Sequence, residues 1–149
     1  MGGRTLLVGI GSSQGDDRVG WVIAGRIADM IGDSSIVRCA RSPAALLDLL
    51  DGVDELHVCD AFIGQAEVGA VRWWDWPSRE IERAHFHGSH DLSLPAALAL
   101  AEQLGRLPPK VRIWGVAIGE SRQLDPMSTA VTAAVPEIVN QICGALAHA

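Results

Sequence analysis

Tyrosine is absent from this chain, cysteines are few, and acidic residues outnumber basic ones. Each shortage excludes something. The three cysteines among 149 residues, Cys39, Cys59 and Cys143, are odd in number and widely spaced. They form no CxxC pair and no disulfide framework, so they read as small buried hydrophobes in a reducing compartment, and a cytoplasmic location is expected. No apolar run approaches the roughly 18 residues that span a bilayer. The chain enters a strand-like run, RTLLVGIG, almost at once, so no signal peptide is expected. Gly2 invites a myristoylation reading, but Leu6 stands where that motif needs Ser or Thr. With a net charge of −6 and scattered basic residues, neither nucleic acid nor an anionic membrane is expected as the main partner.

What the chain has in plenty is apolar sequence, 48% of it, at the top of the usual range. That fits a sheet covered on both faces, whose strands are continuous apolar runs. The length suits one domain, 1–149, able to bury roughly two-thirds of its unfolded surface without staples. No repeat, linker or low-complexity tract interrupts it. Strand and helix signals alternate, which predicts a mostly parallel α/β sheet. Strands are expected at Thr5–Ile10, Ser35–Cys39, Glu55–Cys59, Val68–Trp74 and Val111–Ile118. The first helix is expected from about Arg18 to Ile31, with Val19, Val22, Ile23, Ile27, Met30 and Ile31 at helical spacing. Asp16 or Asp17 would cap it and Gly32 follow it. Further helices are expected at Pro43–Leu50, opened by Ser42, at Leu94–Leu104, capped by Ser93, and at about Val131–Leu146. Pro136 in the last marks a kink or a later start. Pro77–Gly88 reads as a loop.

Open α/β sheets place their sites at the carboxyl ends of parallel strands. Three groups fall there: Asp16 and Asp17 after the first strand, Asp60 directly after the third, and His90 before a helix. The glycine-rich stretch GIGSSQGDDRVGW is off the dinucleotide fingerprint and lacks a P-loop lysine. Two aspartates also occupy the helix start where a phosphate would sit, so the loop suits a cation or a proton. The plainer reading is one capping Asp and one solvated Asp. For Asp60 alone, the plainer reading is a turn cap. HFHGSH, His85 to His90, resembles a metal-ligand stretch, with His85 and His87 equally readable as a polar loop. One histidine and two carboxylates form a mixed ligand set. His57 lies inside a strand and reads as a packed or half-exposed histidine. Cys59 is discounted as a nucleophile because its neighbour Asp60 would raise the thiol pKa. Trp73, Trp74 and Trp76 are either packing residues or an exposed docking ridge. No GxSxG elbow and no HExxH helix is present.

The order LLVGIG, GDDRVGW, VCDAF, GSHDLSLPAALALAEQLG and VRIWGVAIGE, closed by a helix, resembles the hydrogenase maturation endopeptidases over nearly the whole chain. The resemblance implies a three-layer fold, a five-stranded, mostly parallel twisted sheet with helices on both faces. It implies an aspartic- or metal-assisted protease that removes a C-terminal extension from the large-subunit precursor of a nickel–iron hydrogenase after nickel insertion. It assigns the catalytic, metal-contacting positions to Asp17, Asp60 and His90, with the nickel carried by the substrate. Three positions depart from the family pattern: Ser12 replaces Asn, the loop before the acid pair is one residue shorter, and Arg18 replaces Gly.

On this reading the three side chains hold the substrate's nickel and so position the scissile peptide bond. Water attack is then assisted by a carboxylate base or by the metal as Lewis acid. A cation keeps both carboxylates ionised; without one, a carboxylate tends to hold a proton. A rival from another class is a metallocentre chaperone or nickel sensor that uses the same residues without cutting. A metal hydrolase of the same fold is a third reading, and it should retain its own metal.

Overall fold

The computed structural model describes residues 3–64, 66–83, 85–86, 92–119 and 126–147. Six strands are assigned among them: β1 (Thr5–Ile10), β2 (Val37–Ala40), β3 (Glu55–Ile63), β4 (Val71–Asp75), β5 (His85–Phe86) and β6 (Lys110–Ala117). The α-helices are α1 (Val19–Ile31), α2 (Arg79–Arg83), α3 (Leu94–Gln103) and α4 (Thr129–Ala147). Five strands form one sheet in the order β2-β1-β3-β6-β4, and the two-residue β5 pairs with β3 alone. The pairs β1–β2, β1–β3 and β3–β6 are parallel, and β4 closes the edge antiparallel to β6. This is the expected five-stranded, mostly parallel α/β sheet.

The central strands bury both faces, as their unbroken apolar sequences require. On one face, Leu7, Cys59, Ala61, Trp114 and Val116 meet α1 and α4. On the other, Leu6, Val8, Leu56, Val58 and Ile113 meet Leu46, Ile81, Leu94 and Leu98. Helix α1 turns Val19, Ile23 and Ile27 inward at helical spacing, while Met30 falls off that stripe and is exposed. Gly32 ends it at φ 68°, a left-handed stop. In α3 the Ser93 hydroxyl accepts from the Ala96 amide at 3.2 Å, as a cap should. Helix α4 has the length and mean hydropathy, 1.3, of a membrane span, yet it lays Val131, Val135, Ile138 and Ile142 into the core of the fold.

Several expectations need correction. No side-chain cap opens α1: Asp16 and Asp17 lie in a preceding 3₁₀ turn, Gly15–Arg18, and both are buried. The expected helix from Pro43 is a 3₁₀ helix, Pro43–Asp48, and the Ser42 side chain makes no cap bond. The stretch read as a loop after Pro77 contains α2 and β5. Helix α4 starts at Thr129, before Pro136, which excludes a later start. The third strand runs on through Asp60 to Ile63, so Asp60 sits inside β3 rather than after it. The tryptophans do not make one ridge. Strand alternation sends Trp73 outward, where the Arg112 guanidinium stacks on it at 4.0 Å. Trp74 and Trp76 go to the opposite face and pack on the Leu6/Leu56 cluster.

Candidate active site

The strand order reverses direction between β1 and β3, which places a crevice at their carboxyl ends. Gly9 pairs with Cys59, so the loop leaving β1 comes level with Asp60. The approach of α1 is close. A methyl group on Gly20 would lie 2.1 Å from the Ile10 carbonyl oxygen and 2.9 Å from that of Cys59. Only glycine lets the first turn of α1 rest on the backbone of two strands. Within the loop, the Ser12 amide donates to the Asp17 carbonyl at 3.2 Å, and the Asp17 amide donates to the Gln14 carbonyl at 3.0 Å. The 3₁₀ turn is thus pressed against β3, with its acids facing inward.

Three carboxyl groups are nearly sealed from solvent here: Asp16 is 5% exposed, Asp17 6% and Asp60 1%. Their partners differ. Asp16 Oδ1 accepts from the Ser128 amide at 2.6 Å, just ahead of α4. Asp60 Oδ1 accepts from the Ala61 amide at 2.8 Å. Asp60 Oδ2 and Asp17 Oδ1 are buried with no hydrogen-bond partner among the described residues. Burial pushes the Asp60 carboxyl well above the usual carboxylate range, and the Asp17 charge pushes it further in the same direction; the Ala61 amide opposes both. Burying carboxylates without partners is costly. This pair is therefore built for what relieves that cost, a proton or a cation. Among the described residues no group of three His, Cys, Asp or Glu side chains forms a complete metal site.

The structure places Asp17 near enough to Asp60 for its charge to raise the Asp60 pKa. His90 lies outside the described residues, as does His87; the side chain of His85 is likewise not described. The backbone of β5 pairs Phe86 with Phe62 and His85 with Ile63, just beyond Asp60 on β3. His57 is a core residue. Its Nδ1 accepts from the Trp114 indole at 3.0 Å, so Nε2 carries the proton and meets Glu55 Oε2 at 3.2 Å. Burial lowers its pKa, against the opposing pull of Glu55. Cys59 is fully buried, and burial first, then the Asp60 charge, raises its thiol pKa, which removes it as a nucleophile. The bond from Ser128 to Asp16 was not legible in the sequence, since its partners are 112 residues apart and no local pattern links them.

A mostly parallel α/β sheet with a buried, under-partnered carboxylate pair at its switch point is the class of architecture the fold and site define. Residues 40–145 match the family model described as hydrogenase maturation protease (HycI), and this chain belongs to that family. It is a peptidase, a hydrolase of hydrogenase maturation. The fold is that of the hydrogenase maturating endopeptidase HybD from E. coli: the TM-score is 0.78, with 19% identity over 97% of this chain and 93% of that one. It also matches the [NiFe] hydrogenase maturation protease HybD from Thermococcus kodakarensis, with TM-score 0.67 and 21% identity over 96% of this chain and 98% of that one. The [NiFe] hydrogenase maturation protease HycI from Thermococcus kodakarensis KOD1 has TM-score 0.70 and 21% identity, over 95% of this chain and 91% of that one. No curated protein sequence matches the chain significantly.

Proposed function

We propose that this peptidase removes a C-terminal extension from the large-subunit precursor of a nickel–iron hydrogenase once nickel is in place. Asp17, Asp60 and His90 are the residues that contact the nickel, which arrives as part of the substrate. The observation that carries this reading is the pair of buried oxygens without partners, Asp17 Oδ1 and Asp60 Oδ2. Carboxylate oxygens and an imidazole suit a first-row divalent cation.

The chemistry follows from the burial. In the cation-free site, the raised pKa of Asp60 favours its protonated form. A substrate-borne divalent ion compensates both carboxylates and draws that proton off. The same contact fixes the neighbouring peptide bond in place, which supplies proximity and orientation. An ionised aspartate beside that bond is competent to take a proton from an attacking water. Nickel in the precursor thus switches the site from protonated to basic and aligns the substrate.

Intact-mass analysis of the precursor tests the nickel requirement. The nickel-loaded precursor should lose one discrete C-terminal peptide, and the nickel-free precursor should stay whole. Equal cutting of both forms would contradict the nickel gate. A precursor that binds and is released uncut would favour the chaperone reading.

A further inference from the structure

Asp16 shares the acid loop with Asp17 and is just as buried, yet the mechanism above gives it no role. It differs from its neighbour in having a partner. Its Oδ1 accepts the Ser128 amide at 2.6 Å, a short, charge-assisted bond across 112 residues of sequence. Ser128 in turn opens α4. Its carbonyl accepts from the Thr132 amide at 2.9 Å, and its hydroxyl accepts from the Val131 amide at 3.4 Å. The carboxylate of Asp16 therefore lies at the positive end of a 19-residue helix, where a negative charge is favoured. That helix is fixed to the core of the fold through Val131, Val135, Ile138 and Ile142.

We infer that Asp16 is the positioning residue of the acid site, tying the acid loop to the start of α4 so that Asp17 is held against Asp60. The inference rests on the Asp17–Asp60 reading above. Among the described residues the loop is also anchored where it leaves β1, by the Gly11 amide on the Ala40 carbonyl at 3.0 Å. Its internal bonds, Ser12 to Asp17 and Asp17 to Gln14, shape the turn without fastening it to the body of the protein. Gly20 lets the turn approach β3 closely. The Asp16–Ser128 bond fixes the turn from the other side. Two adjacent aspartates thus divide the work: one is spent on a backbone amide, and the other keeps an oxygen free.

The substitutions separate a hydrogen-bond acceptor from a charge. Asp16→Asn keeps an oxygen that accepts the Ser128 amide, and Asp16→Ala does not. Misplacement of a reacting group by about 1 Å costs about a hundredfold in rate. Asp16→Ala should therefore lower kcat on nickel-loaded precursor by about that factor and raise KM as well, since the displaced Asp17 also holds the substrate's nickel. Asp16→Asn should stay within about tenfold of the unaltered enzyme, since a neutral acceptor bond is roughly half as strong. Ser128→Pro removes the amide donor and leaves all three carboxylates, and should behave like Asp16→Ala. Calorimetric titration with nickel(II) alone needs no precursor: Asp16→Ala should weaken binding about tenfold, and Asp16→Asn should not. If Asp16→Asn is as inactive as Asp17→Asn, Asp16 acts by its own charge and the inference is overturned. Full activity in a folded Asp16→Ala overturns it equally. Should Asp16→Ala fail to fold, Ser128→Pro takes its place, and full activity in that folded variant overturns the inference. If Asp17→Asn cleaves at the unaltered rate, the acid-pair reading fails, a result distinct from either outcome at Asp16.

Discussion

Asp60 pays for its position in stability. In the unfolded chain its carboxyl titrates near 3.8, and in the folded protein burial raises that value well above 3.8. Between the two values the folded state holds a proton that the unfolded chain has released. Stability contributed by that proton is present at low pH and is lost as pH rises through the interval. Asp60→Asn carries no titrating group and keeps the oxygen that accepts from Ala61. The melting temperature of Asp60→Asn relative to the unaltered protein should therefore climb as pH rises above 3.8, until the folded-state carboxyl has itself titrated. Thermal melts across that range measure it, and a pH-independent difference would show that Asp60 is not held protonated by burial.

Elements with strong local punctuation were legible in the sequence. Gly32 and Gly105 stop their helices at φ 68° and 69°, and Ser93 caps α3, so α1 and α3 end close to where the sequence places them. Element ends set by distant packing were not. Asp60 resembles a strand terminator in VCDAF, because a carboxylate inside a buried strand contradicts every local preference. Its strand continues because β6 pairs with it from Glu55 to Phe62. The stretch after Pro77 looks polar and turn-like, yet Ile81 anchors α2 into the core. Gly9 and Gly20 resemble parts of a ligand loop, but their service is to let α1 touch β1 and β3. Gly20→Ala drives a methyl into the Ile10 carbonyl, and should cost about 1–3 kcal/mol by overpacking while lifting the acid turn off β3. Urea denaturation should show the lower midpoint, and cleavage should fall with it. Wild-type behaviour on both counts would mean the helix does not press on the strands.

At the scale of the whole molecule, the alternation of strands and helices specifies the sheet, and the sheet specifies where a site belongs. The edge to which the sequence assigns the Asp16–Asp17 doublet, Asp60 and His90 could be read from order alone, whereas the choice of Asp17 within the doublet comes from the family resemblance. The division of labour within the Asp16–Asp17 doublet could not, because it is decided by Ser128 on the far side of the chain. The tryptophan cluster was ambiguous for a similar reason: strand pairing with β6 determines that Trp73 faces out while Trp74 and Trp76 turn in. The central claim is that Asp17 and Asp60 together are the reacting acid pair of this hydrogenase maturation peptidase. Its most direct test is the mass of nickel-loaded precursor after incubation with the unaltered enzyme, with Asp17→Asn, and with Asp60→Asn, each first shown by melting to be folded. The account predicts that only the unaltered enzyme releases the C-terminal peptide, with both variants slower by about a thousandfold or more. Release at the unaltered rate by either folded variant would contradict it.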